Sequence, residues 1–144
     1  MSNQFMSPFS LGGGGSVTNE TVIGWIVASN WMYQYWNMYA NMNYCTKYSE
    51  TEIKSQTTSP ALLTFVNPIS CRMYYALYTE RPTSGDNNGA LRIYHNTDPI
   101  ISMNTSNAYR SSGYLDISFS VGDYVKVMPG YPSYQVMCIF LANK

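Results

Sequence analysis

Charge is what this chain has least of. Only 11% of its 144 residues are charged, against about 25% in an average soluble domain. Eight cations balance eight anions, so the formal net charge is zero. No basic stripe exists, which excludes the electrostatic footprint of a nucleic-acid binder. Histidine occurs once, as His95, which leaves little for acid–base or metal chemistry. The three cysteines, Cys45, Cys71 and Cys138, lie far apart and lack the paired spacing of a zinc site. They cannot all pair within one chain, and Cys71 and Cys138 sit in apolar runs. They read as buried reduced thiols. No basic n-region followed by an apolar h-region is visible near the N-terminus, so folding in a reducing cytosol is expected. Long apolar runs are missing too. Asn30, Gln34, Asn37, Asn41 and Asn43 interrupt residues 21–44, which therefore fall short of the ~20 apolar residues of a membrane span.

What is present is alternation. In residues 113–121, Leu115, Ile117, Phe119 and Val121 alternate with Tyr114, Asp116, Ser118 and Ser120. A period of two puts one set on each face of a strand. Gly122-Asp123 signals a tight turn, and Val125 and Val127 resume the alternation. Pro129, Gly130 and Pro132 stop the ladder. Residues 134–141 are apolar at nearly every position, as in a strand covered on both sides. Upstream, residues 61–66, 71–79, 90–95 and 100–103 read as strands. In 71–79, Cys71, Met73, Tyr75 and Leu77 share one face, and Arg72, Tyr74, Ala76 and Tyr78 the other. Residues 47–59, 81–89 and 104–112 read as polar loops. Residues 21–44 are rich in Val, Ile, Trp and Tyr and lack Leu and Lys, which favours strands. A short helical stem remains open there, because Trp25, Met32 and Tyr39 fall seven apart. Seven or eight strands at roughly ten-residue spacing, with no firm helix, predict an all-β antiparallel sandwich or jelly roll.

The N-terminus is different. Residues 1–11 are uncharged, with Phe5, Met6, Pro8, Phe9 and Leu11 as their apolar members. Four glycines and Ser16 follow, and such a run reads as a flexible linker. The expected organisation is a short anchoring peptide over 1–11, a linker over 12–16 and a sandwich domain over 17–144. Fourteen tyrosines and so little charge suggest that much of the domain surface is an interface.

Residues 60–143 resemble the C1q and tumour-necrosis-factor-like jelly-roll domains. Tyr74-Tyr75 stand at the family's aromatic strand, and Asn96 ends the next strand. Gly122-Asp123-Tyr124-Val125 fill its Leu-x-x-Gly-Asp-x-Val segment. The glycine before the aromatic pair is missing, Met137-Cys138-Ile139 replace a glycine-rich strand, and no Gly-X-Y stalk precedes the domain. The resemblance implies a homotrimer packed around the closing strands. Tyr134, Val136, Cys138 and Phe140, with Tyr75 and Leu77, are then the expected trimer interface. Similar domains are found at the ends of bacterial and phage fibres.

Enzymatic chemistry finds no motif. A Gly-x-Ser-x-Gly elbow is absent, and His95 reads as an ordinary surface or interface histidine. Asp86, Asp98, Asp116 and Asp123 read as solvated carboxylates rather than a hydrolytic pair. Asp86-Asn87-Asn88-Gly89 looks like part of a calcium loop but lacks the distal acid. No catalytic residue, cofactor or metal is assigned. The expected function is therefore structural: a non-enzymatic virion protein, made in the host cytoplasm. It would be a head fibre, decoration or fibre-tip domain that contacts capsid or other virion proteins through its N-terminal peptide. The alternative is a carbohydrate-binding module of an adhesin or tail tip. Trp31, Trp36, Arg81, Asp86 and Asn87 are the candidate contacts to a cell-surface glycan.

Overall fold

The computed structural model describes residues 21–30, 33–47, 51–55, 61–79, 91–103, 110–128 and 135–144, with side chains described except at 30, 33–36 and 51–55. These residues form eleven strands and no helix. The strands are β1 (Val22–Asn30), β2 (Tyr33–Ala40), β3 (Cys45–Lys47), β4 (Thr51–Ser55), β5 (Ala61–Phe65), β6 (Ile69–Thr79), β7 (Leu91–His95), β8 (Asp98–Met103), β9 (Arg110–Phe119), β10 (Tyr124–Met128) and β11 (Gln135–Asn143). They pair into a six-stranded sheet, β4-β2-β1-β11-β6-β9, and a five-stranded sheet, β3-β5-β10-β7-β8. Every pairing is antiparallel. The chain passes repeatedly from one sheet to the other, the jelly-roll manner of closing a sandwich.

Alternation decides which side chains fill it. Cys71, Met73 and Leu77 of β6, Met137, Ile139 and Leu141 of β11, and Ile26 and Ala28 of β1 meet Leu63 and Phe65 of β5, Val125 and Val127 of β10, and Leu91 and Ile93 of β7. Phe65 and Phe119 stack across the two sheets with centroids 4.0 Å apart. Ring contacts of this kind add roughly 0.5–1.5 kcal/mol beyond the area they bury. The three cysteines are free and buried. Burial pushes the thiols of Cys45 and Cys138 up to about 11 and that of Cys71 to about 12, so they behave as small apolar groups.

The sequence reading changes in four places. The described part of residues 21–44 holds strands β1 and β2 and the turn after them, which removes the helical stem. Residues 47–59 are not simply a loop, because β4 lies there and pairs with β2. Its Thr51–Ser55 composition carries no apolar period, so only the pairing identifies it. The segment read as a polar loop ends early, since β9 begins at Arg110. Val121 leaves the inward face and is 65% exposed. Gly122, at φ 90°, turns the chain there, and the next residues enter the other sheet.

Gly24 shows why one position must stay bare. It lies at a register shift between β1 and β11. A Cβ there would come within 2.8 Å of the Tyr39 carbonyl oxygen and 2.9 Å of Leu63 Cδ1. Leu63 belongs to the opposite sheet, so the missing side chain lets the sheets close. Gly24→Ala is expected to cost about 1–3 kcal/mol through overpacking, and a urea titration will show it as a lower midpoint. An unchanged midpoint would contradict the close approach.

The two ends of the sandwich differ. At one end lie Thr21, Asn143 and the connections at 41–44, 66–68, 96–97 and 120–123. These are short and closed by hydrogen bonds such as Asn143 N–H to Thr21 O at 2.8 Å and Gly122 N–H to Phe65 O at 2.9 Å. The strand ends facing the other way, among them Asn30, Phe65's opposite terminus Ala61, Thr79, Met103 and Met128, are joined by 31–32, 56–60, 80–90, 104–109 and 129–134.

Candidate functional site

The outer face of the six-stranded sheet carries a row of aromatic residues. It follows from register. Tyr39 of β2 is opposite Trp25 of β1, Trp25 opposite Phe140 of β11, Phe140 opposite Tyr74 of β6, and Tyr74 opposite Tyr114 of β9. Cross-strand partners share a face, so five rings form one row across five strands. At about 4.8 Å per strand the row spans roughly 19 Å. Centroids are 6.4 Å apart for Trp25 and Tyr39, 6.4 Å for Tyr74 and Phe140, and 5.8 Å for Tyr74 and Tyr114. The Arg72 guanidinium closes one end, 4.3 Å from the Tyr114 centroid.

Beside the row runs a lane of smaller residues. Asn37, Val27, Cys138, Ala76 and Ser112 are successive register partners. Beyond the lane, Ser29, Val136, Tyr78 and Arg110 follow in the same way. Tyr39, Tyr78 and Tyr114 are 42%, 40% and 57% exposed. Between these exposed rings Phe140 is 0% and Cys138 8% exposed.

The predicted interface residues fall on both sides of this sheet. Val136, Cys138 and Phe140 do lie on the outer face. Tyr75 and Leu77 do not. Leu77 is in the core, and Tyr75 packs against it with its hydroxyl over Gly113. The alternation of β6 was legible, but its outward set is Tyr74, Ala76 and Tyr78. On β11, Val136 keeps part of its surface, while Phe140 is 0% exposed within one chain. Its central strand position puts Trp25 on one flank and Tyr74 on the other. Trp25, Tyr39, Tyr74 and Tyr114 were missed as a set, and only cross-strand register joins residues so distant in sequence.

Tyr134, Trp31, Arg81, Asp86 and Asn87, and the peptide residues Phe5, Met6, Pro8, Phe9 and Leu11, lie outside the described residues. Trp36 occupies the β2 position opposite Ala28, and its side chain lies outside them too.

Asp116 and Asp123 are not merely solvated. Asp116 accepts Arg72 Nε at 2.8 Å and faces Lys144 Nζ at 3.1 Å. Asp123 accepts the Ser120 N–H at 2.9 Å, Asn96 Nδ2 at 3.0 Å and lies 3.0 Å from His95 Nε2. Asn96, at φ 56°, in turn accepts the Tyr124 N–H at 2.9 Å. Asparagine tolerates that left-handed conformation better than most residues. His95 also sets its ring edge on Phe119. The His–Asp pair therefore pins three segments together. Ser120 meets it through a backbone amide, an arrangement for structure rather than nucleophilic attack. Among the described residues no three His, Cys, Asp or Glu side chains gather into a metal site. No helix there is long and apolar enough to cross a membrane.

Both carboxyls are held down to about 2, Asp116 chiefly by Arg72 and then Lys144, and Asp123 chiefly by the Ser120 amide and then Asn96 and His95. A folded pKa below the ordinary 3.8 means stability that is complete above the unfolded value and lost as pH falls through the folded one. The melting temperature is expected to drop as pH goes from about 4 to about 2. In Asp123→Asn that drop should be shallower, and thermal melts by circular dichroism will compare the slopes. Equal slopes would remove Asp123 from the account.

No protein-family model and no curated protein matches the chain. Among solved structures the chain is similar to the crystal structure of pika GITRL, a ligand of the tumour necrosis factor family, at 13% identity and a TM-score of 0.46. The similarity covers 80% of this chain and 95% of that one.

Proposed function

We propose that the chain is a non-enzymatic structural protein of a virion, a homotrimeric head-fibre, decoration or fibre-tip domain. Its N-terminal peptide holds it on a phage particle, and it mediates attachment to a host or other surface. The observation that carries the oligomer is the exposed Tyr39, Tyr78 and Tyr114 of the outer face, with the half-buried Trp25, Tyr74 and Val136 among them. With 11% charge overall, such a face is better buried against copies of itself than hydrated. The C1q-like pattern of the sequence favours three copies over two.

The particle role has separate support. Residues 1–11 are uncharged and apolar in part, and the glycine run after them separates peptide from domain. The tether enters the sandwich at Thr21, beside the C-terminal strand end. The longer connections all leave from the opposite end. A domain anchored at one end presents the other outward, and connections between strands are where recognition commonly resides.

Light scattering on the purified chain tests the oligomer, with three chain masses expected. A monodisperse monomer would end the reading. Removing residues 1–11 should leave a folded trimer that no longer decorates the particle, and a truncated chain that still decorates would place the anchor elsewhere.

A further inference from the structure

The five-stranded sheet turns its own face outward, and it is chemically unlike the first. Leu62, Lys126 and Tyr94 are register partners across β5, β10 and β7. Thr64 and Tyr124 form the next line on one side, and Met128 and Arg92 the line on the other. Tyr94, Tyr124, Lys126 and Arg92 are all half-buried. The Lys126 ammonium lies 4.5 Å from the Tyr94 centroid and 5.9 Å from that of Tyr124. Arg92 stands on the diagonal from Lys126, on the same face.

These two cations have no acidic partner among the described residues. Asp116 serves Arg72 and Lys144 on the other sheet. Asp123 is taken up by the turn at His95 and Asn96, and Asp98 stands opposite His95 at the β7–β8 turn. The chain has eight cations in all, and two share this small area. Neither is buried in the core, so packing does not account for the pair. Charge complementarity therefore selects an anionic occupant.

We propose that this face binds a carboxylate-bearing saccharide, with Lys126 and Arg92 on the carboxylate and the rings of Tyr94 and Tyr124 against the sugar. Tyrosine offers a flat apolar surface for pyranose C–H groups and a hydroxyl at its tip. Arg92 supplies a forked donor matched to a carboxylate, and charge-assisted hydrogen bonds are the stronger kind. Lys126 is already ordered by its two rings, so less freedom is lost when the ligand arrives. The proposal rests on the attachment role for its purpose. Its site is on the sheet opposite the aromatic row, so binding and trimerisation fail separately.

The test titrates the full chain with uronic-acid and sialic-acid oligosaccharides, their neutral methyl esters and a polyphosphate, followed by calorimetry. The acidic sugars should bind, and the esters should bind at least about tenfold more weakly. Lys126→Met, which keeps the aliphatic stem between the rings, and Arg92→Ala should each weaken binding about tenfold with the scattering mass unchanged. Affinity should fall with added salt, since the face is open to solvent. Equal affinity for acid and ester, wild-type affinity in both variants, binding of polyphosphate alone, or no binding of any acidic sugar would each overturn the proposal. A monomeric wild type that binds the acidic sugars would support it while ending the trimer reading.

Discussion

Ile139→Asp is expected to abolish the folded domain. Ile139 is 0% exposed, in the middle of the central strand β11, with Ile26 and Tyr75 opposite it on its two neighbours. Removing a buried isoleucine costs about 2–5 kcal/mol. An ionised carboxylate in its place adds several more, because no cation lies in that apolar layer to meet it. The sum, roughly 5–10 kcal/mol, is comparable to the ~5–15 kcal/mol that holds an ordinary domain together. Far-ultraviolet circular dichroism should show no cooperative melt. Ile139→Ala is the graded control, expected to fold with a stability lower by about 2–5 kcal/mol. If the Asp variant melts like the parent, the inner face of β11 has been misassigned.

Val136→Asp should do something different, three residues away on the same strand. Val136 is half-buried on the outer face, opposite Ser29 and Tyr78. In an isolated chain the new carboxylate can reach water, so the fold should lose only about 1 kcal/mol. Within a close-packed interface the same carboxylate is desolvated against apolar and tyrosine neighbours in every copy, at several kcal/mol each. The expected product is a folded monomer, seen as a parental circular-dichroism spectrum with one chain mass by light scattering. Val136→Thr, similar in shape and uncharged, should remain trimeric. A Val136→Asp protein that is both folded and trimeric would show that copies do not meet on this face.

How much of this was readable beforehand depends on the range of the signal. Period-two alternation is local, and it located β5, β6, β7 and β9 and the two faces of β6 from their own residues. Gly122-Asp123 carried its turn because a left-handed glycine and a carboxylate that accepts backbone amides are both local devices. What failed was non-local. Nothing in Leu77 itself says whether its face meets the other sheet or another molecule. The answer depends on Leu63, Val125 and their neighbours in the opposite sheet. The aromatic row depends on the register of four strand pairs, and a slip of one residue in any of them would scatter it. β4 escaped notice because Thr51–Ser55 borrows its identity from pairing with β2. The turn at Asp123 was legible as a turn, but its hold on His95 and Asn96 needed the fold.

The placement of β1 has a mechanical consequence. The strand lies between β2 and β11, with seven register pairs on one side and eight on the other. A pull applied at Thr21 runs along the strand axis. It loads both ladders in shear, so their hydrogen bonds must break together rather than one after another. The C-terminal end of β11 closes over the same entry point through Asn143 and Thr21. A domain pulled from this point resists unfolding more than one pulled by an edge strand, which would peel pair by pair.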